Sequence, residues 1–271
     1  MCPSFLPIAD KKSGGQMTGK WMQTFIAHNK CGQYYIGELK DETFYPEIHG
    51  RFSWKDNTFF APENLVDDKN RQIAWFWLLD NRDREFERYG WTGVYNFPRC
   101  FWLEDGILKM APVEELDQLQ YNEQEFAAGI VHGKNAIPVK NGEAFRLKLD
   151  IQMKEAGYAG VRLRANADES EYTDLYYDAK AKKLVFDAEH SGNDGRMIKE
   201  EAPFELKDGE TLSLDIFVDR CVVEIYANER QAICRRVYPT NPKEAVNVSV
   251  ISDGAEIKEA KAYEMRSTNM Y

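Results

Sequence analysis

The second half of the chain alternates. FRLKLDIQM, GVRLRANA, YTDLYYDA, KKLVFDA, LSLDIFVD, CVVEIYAN and VNVSVIS set apolar residues largely at every second position. Side chains of an extended strand point alternately to opposite faces, so each segment offers one face to a core and one to water. That rhythm does not match the 3.6-residue stripe of a helix, and it requires partner strands to satisfy the backbone. Asn141-Gly142, Asp194-Gly195 and Asp208-Gly209 punctuate these runs, and Asp105-Gly106 does the same earlier. Such dipeptides tolerate the positive backbone angles of hairpin and loop corners. Roughly seven or more strands at this spacing predict an antiparallel β-sandwich.

The first part is written in the same grammar with more aromatic residues. KWMQTFIAHN, QYYIGEL, TFFAPENLV, RQIAWFWLLD and CFWLEDGILKMA are short apolar runs bounded by Gly, Asn, Asp or Pro. They read as strands and hairpins. One segment, APVEELDQLQYNEQEF, reads as helical, with Val113, Leu116 and Leu119 three residues apart among acidic side chains. It is expected to be a short linker. The 271 residues therefore divide near residue 115 into an aromatic-rich part, 1–115, and an alternating part, 116–271. A chain of this length can bury two cores.

Composition excludes several partners. The net charge is -10, and no long Lys/Arg cluster interrupts it. Nucleic acid and anionic membrane surfaces are therefore not expected to bind. The longest apolar runs, such as IAWFWLL, are too short to span a bilayer, and residues 1–20 lack the charged start and apolar centre of a signal peptide. The compartment stays open. Cys2, Cys31, Cys100, Cys221 and Cys234 are odd in number and form no C-x-x-C, which points to neither a disulfide framework nor a zinc site and mildly favours reducing surroundings.

Several chemical motifs fail on their neighbours. Gly14, Gly19 and Lys20 have the spacing of a phosphate-binding loop, but Trp21 stands where a hydroxyl should hold magnesium and the continuation is strand-like. A flexible turn is the expected structure. His28, His49, His132 and His190 are too scattered for a metal box and read as structural or solvated histidines. Asp219 and Glu224 read as lying on or beside one long strand; five residues apart, they would face opposite ways and make no acid and base pair. Glu224 is expected to tie down a backbone group or an arginine. Neither a metal nor a cofactor is expected.

Aromatic density is the more informative signal. Trp54, Phe59, Phe60, Trp75, Phe76, Trp77, Trp91 and Trp102 crowd one region. Most belong in a core. Aromatic faces beside carboxylates also suit sugar rings, which stack through C–H groups while their hydroxyls form hydrogen bonds.

Several stretches together resemble one family. YYIGELKDETFYPE, FSWKDNTFFAPENLVDDKNRQIAWFWL and GWTGVYNFPRCFWLEDGILKMAPVEELDQL are similar, in order and spacing, to the last propeller blades of glycoside hydrolase family 32, the β-fructosidases. LSLDIFVDRCVVEIYANERQAICRRVYP resembles that family's C-terminal sandwich. The resemblance implies an all-β fold: part of a five-bladed β-propeller, about two to three blades at some 40–45 residues each, then a C-terminal β-sandwich. It implies hydrolysis of terminal β-fructofuranosyl bonds with retention, by two carboxyl groups roughly 5 Å apart. Fructose-containing oligo- or polysaccharides are the implied partners.

The family's catalytic carboxylates do not map onto these residues. Neither the W-M-N-D-P-N-G motif of the nucleophile nor the R-D-P motif of the stabilising aspartate occurs. Cys2 and Pro3 match the Cys-Pro of the family's E-C-P, which sets Met1 on the acid/base position. Methionine cannot donate that proton. Phe60 stands where many relatives carry Tyr, Ser53 where a funnel Asp is usual, and Trp77 matches the second Trp of a W-G-W stretch. The resemblance thus implies no catalytic residue here and nominates Cys2, Phe60 and Trp77 for substrate binding. The expectation is a chain inactive alone; a carbohydrate-binding module and a subunit completing another chain are the alternatives. Open blade surface would favour self-association.

Overall fold

The computed structural model describes residues 2–28, 30–54, 58–82 and 86–268. Two compact units divide the chain: residues 1–80, 86–114 and 229–235 form the first, and residues 81–85, 115–228 and 236–271 the second. Both are β-structures among the described residues.

The first unit holds two sheets. One is the meander β1 (Ser4–Ala9), β2 (Met17–Ala27), β3 (Cys31–Lys40) and β4 (Thr43–Arg51), each strand beside the next. The other comprises β5 (Phe59–Val66), β6 (Gln72–Leu78), β7 (Val94–Tyr95), β8 (Arg99–Glu104) and β9 (Ile107–Pro112), in the order β5-β6-β8-β9 with β7 also beside β6. A propeller blade is a four-stranded antiparallel sheet; β1–β4 have that form, and the second sheet adds the short strand β7 to four strands. Asp105-Gly106 makes the tight corner between β8 and β9, with φ values of 51° and 73° and Glu104 opposite Ile107. Both angles are positive, as a primed hairpin turn requires.

Aromatic packing joins the two sheets. Phe59 stacks on Phe76 with ring centroids 4.1 Å apart, and Phe52 meets Phe76 at 4.9 Å and Phe101 at 5.0 Å. Gly32 of β3 faces this cluster so closely that an added Cβ would stand 3.3 Å from the Phe76 ring. Arg99, fully buried, donates to the Phe52 carbonyl at 2.6 Å and lies 5.0 Å from the Phe59 centroid. A buried guanidinium is tolerable only with such partners.

The second unit is built on its last strand. It contains β10 (Gln120–Glu125), β11 (Gly129–Ile137), β12 (Ala144–Gln152), β13 (Tyr158–Ala165), β14 (Thr173–Asp178), β15 (Lys183–Asp187), β16 (Lys199–Pro203), β17 (Leu212–Asp219) and β18 (Val222–Ala227). After β19 (Gln231–Arg236), most of which counts with the first unit, comes β20 (Asn247–Met265). The first half of β20 pairs with β11 and β13, and its second half with β12 and β10. The change falls near Gly254, at φ 140°. One strand thus serves two layers, β16-β15-β14-β13-β20-β11 and β10-β20-β12-β17-β18. Leu147, Leu149, Val161, Leu163, Leu214 and Ile216 are buried at alternate positions, as a sandwich core requires.

Three local expectations are corrected. The expected helical linker is a 3-10 helix over Glu114–Leu119, and the rest of that segment is β10. Residues three apart eclipse in a 3-10 helix, so the Val113, Leu116, Leu119 spacing fits the tighter turn. A short α-helix, α1 (Phe86–Tyr89), was not expected. Asp219 ends β17 whereas Glu224 lies in β18, with Arg220 at φ 54° between them. The supposed long strand is a hairpin. Glu224 is buried and accepts the Tyr226 hydroxyl at 2.6 Å.

Candidate functional site

The β5–β6 hairpin sets two of the nominated residues side by side. Phe60 and Trp77 are directly opposed in the antiparallel register, so their side chains leave the same face of the sheet. Phe60 is 8% exposed and Trp77 38% exposed. The Asp67–Arg71 loop closes this hairpin: Asp67 accepts the Arg71 backbone N–H at 2.8 Å and the Arg71 Nε at 2.7 Å. Burial raises the Asp67 pKa, but the Arg71 hydrogen bonds outweigh it and hold this carboxyl below its usual range.

Beyond Trp77 the same face continues. Trp77 also pairs with Tyr95 of β7, and Tyr95 is 65% exposed. The β6–β7 loop bends around the indole at Gly93, where φ is 71° and an added Cβ would lie 1.8 Å from the Trp77 Nε1. Only a residue without a Cβ fits there. The loop also carries Trp91, exposed. In the plane of the sheet, the Asn96 side chain accepts the Phe76 backbone N–H at 2.7 Å, fixing the end of β7 against β6.

Cys2 is exposed and precedes β1, in the other sheet from Phe60 and Trp77. Met1, set by the resemblance on the acid/base position, lies outside the described residues. Ser53 is fully buried: its hydroxyl accepts the Cys234 N–H at 3.0 Å and Arg235 Nη1 at 2.8 Å. Its place in the first unit is that of an anchor for residues 229–235. Among the other aromatic candidates, Phe59, Phe76 and Trp102 are buried and Trp91 is exposed.

A cleft of about 380 Å³ opens elsewhere in the first unit, lined in part by Lys12, Arg71, Trp102, Glu114 and Glu229. Its charges already pair with one another, Lys12 with Glu229 at 2.7 Å and Arg71 with Glu114 at 3.3 Å. Burial pushes the Cys100 thiol in its wall up to about 11, so that thiol is unreactive at neutral pH. The cleft contains none of the nominated residues. Lys20, from the apparent phosphate loop, lies in β2 and pairs with Glu38 at 3.1 Å and Glu47 at 2.7 Å. His49 lies 2.8 Å from the Gln33 side-chain oxygen and stacks on Tyr35. No group of three or more His, Cys, Asp or Glu among the described residues is arranged to hold a metal ion.

Sequence reasoning singled out Trp77 and Trp91 but missed Tyr95 and Gly93. Tyr95 stands in GVYNFPR, 18 residues after Trp77. No periodicity links them, because the pairing depends on where the intervening loop returns.

Comparisons with known proteins agree with the all-β fold. The model described as "Glycosyl hydrolases family 32 N-terminal domain" matches residues 1–112, and "Glycosyl hydrolases family 32 C terminal" matches residues 113–264. The chain is 26% identical to a sucrose-6-phosphate hydrolase of Zymomonas mobilis over 246 residues, 88% of this chain and 47% of that protein. It is 23% identical to the levanase of Bacillus subtilis over 284 residues, 95% of this chain and 41% of that protein. The chain therefore spans about half the length, or less, of these relatives. Among solved structures, fructan 1-exohydrolase IIa from Cichorium intybus superposes with a TM-score of 0.88 at 19% identity, over 98% of this chain and 61% of that one. The exo-inulinase from Aspergillus awamori gives 0.82 at 22% identity, covering 99% and 57%. These structures share its fold.

Proposed function

Since the chain belongs to glycosyl hydrolase family 32, we propose that it is the C-terminal part of an enzyme acting on terminal β-fructofuranosyl bonds of the sucrose, inulin or levan type. In this reading residues 1–115 supply propeller blades and residues 116–271 a linker and sandwich. The observation that supports it is the Phe60–Trp77 pair, an apolar wall with one partly exposed indole. Such a wall suits the C–H face of a fructose ring. Cys2 is proposed to border the same sugar.

Retaining hydrolysis needs a nucleophile and an acid/base roughly 5 Å apart. The family's motifs for both aspartates are missing from these 271 residues, and Met1 occupies the position matched to the acid. These residues alone are therefore expected not to cleave a fructofuranosyl bond. The purified protein is expected to release no fructose from sucrose, inulin or levan above a blank. Turnover by the purified monomer would overturn this reading. Sucrose binding detected by calorimetry and lost in Trp77→Ala would favour the binding-module reading over this one.

The exposed indole also favours a second reading, a non-catalytic carbohydrate-binding module, which the same calorimetry tests. A subunit that completes another chain's propeller is the third reading, and it requires a stable complex. Self-association through exposed blade surface is part of the proposal: Phe5, Leu39 and Tyr45 lie open on the first sheet. Apolar side chains beside unpaired strand edges invite such contacts.

A further inference from the structure

The second unit buries one positive charge without a carboxylate partner. Arg164 of β13 is 1% exposed. Among the described residues its guanidinium bonds only to two backbone carbonyls, Nη1 to Gly142 at 3.2 Å and Nη2 to Pro242 at 2.9 Å. Its Nε has no hydrogen-bond partner. Other arginines of this unit are compensated: Arg146 pairs with Asp215 and Asp117, and Arg162 with Asp174 and Glu169. A carbonyl dipole offsets part of the cost of burying a charge, and a counter-charge offsets more. Burial accordingly pushes the Arg164 pKa down, although the charges of Glu143 and Cys221 act in the opposite direction.

A bulge turns this side chain inward. The register of β13 on β20 shifts between Arg162 and Ala165, and Arg164 takes a φ of 49°. An extra residue in a strand re-aims a side chain, and a left-handed angle on a residue with a Cβ is held only by its surroundings. Leu163, Arg164 and Ala165 are consequently all buried, which an alternating strand does not allow. Across the sheet, Thr173 of β14 opposes Leu163, the residue before Arg164. Thr173 is fully buried and its hydroxyl also has no partner. Two donors without acceptors therefore occupy neighbouring positions, where buried polar groups are ordinarily satisfied.

We propose that Arg164 and Thr173 bind a small monovalent anion, chloride or another halide, inside the second unit. A halide neutralises the guanidinium and accepts from N–H and O–H donors. A carboxylate or phosphate would favour the two-pronged fork of an arginine, but Nη1 and Nη2 are already committed to Gly142 and Pro242. A buried water would satisfy the donors and leave the charge uncompensated. The two carbonyls belong to the β11–β12 and β19–β20 loops, so an ion that fixes Arg164 also fixes both loops. This site is independent of the sugar reading.

Thermal unfolding of the full chain at constant ionic strength, in sodium chloride, sodium bromide or sodium methanesulfonate, tests the proposal. Chloride and bromide are expected to raise the midpoint by about 5 °C over methanesulfonate and to saturate, as binding to the folded state alone requires. Thr173→Val keeps the shape and removes one donor, and should weaken chloride about tenfold. Arg164→Met should abolish the halide dependence; where that variant fails to fold, Thr173→Val and diffraction carry the test. Crystals soaked in bromide should show an anomalous peak within hydrogen-bonding reach of Arg164 Nε. Equal midpoints in the three salts overturn the proposal, as does a water at that place in the bromide crystals. A halide response that Thr173→Val and Arg164→Met leave unchanged is a general salt effect and overturns it too. If Glu143→Gln destabilises the protein equally in all three salts and halide has no effect on the parent, Glu143 is the counter-charge and the anion site is wrong.

Discussion

At the scale of single residues, the candidate site depends on groups that never touch a sugar. Gly93 has positive φ and no room for a Cβ beside Trp77. Gly93→Ala is expected to destabilise the protein by about 1–3 kcal/mol and to weaken sucrose binding by displacing the indole, measured by denaturant unfolding and calorimetry. Asp67 acts on the other side of the hairpin. Because Arg71 holds its pKa below the usual value of about 3.9, the folded state favours the carboxylate. The resulting stability is complete above that value and is lost as the pH falls through the lower folded pKa. Asp67→Asn should therefore lower the unfolding midpoint at pH 7 and have little effect at pH 2. Ser53, which the resemblance sets where a funnel Asp is usual, is buried, and its hydroxyl accepts from the Cys234 N–H and from Arg235.

Elements were legible in proportion to how local their cause is. The alternation in β12, β17 and β20 shows directly in the residues, because one buried face imposes a period of two. The 3-10 helix shows only as a three-residue spacing, which a short sequence shares with an α-helix. The β17 and β18 strands show as the separate runs LSLDIFVD and CVVEIYAN, but Arg220 and Cys221 are not the Gly-rich pair that usually marks the turn between them. Arg146 tests how the second unit is stapled. Its guanidinium grips both Asp215 oxygens, at 2.8 and 2.7 Å, also reaches Asp117, and covers the Phe217 ring. Arg146→Ala should cost about 2 kcal/mol, and Arg146→Lys should recover only part because an ammonium cannot form the paired contact.

For the whole molecule, composition and fold act on different properties. The charge of -10 keeps copies apart at low salt. Added salt screens that repulsion, so self-association through open blade surface should increase with ionic strength in light scattering. A monomer at every salt and protein concentration would remove that expectation. Among the described residues no helix is long and apolar enough to cross a membrane. The sequence by itself determined the β-class, the antiparallel pairing and the family, because alternation, turn dipeptides and motif order are properties of neighbours along the chain. Only the tertiary structure decided that Tyr95 joins Phe60 and Trp77, that Ser53 is spent on residues 229–235, and that β20 serves two layers. Register between distant strands sets all three, and register follows from loop closure and packing that no local pattern encodes.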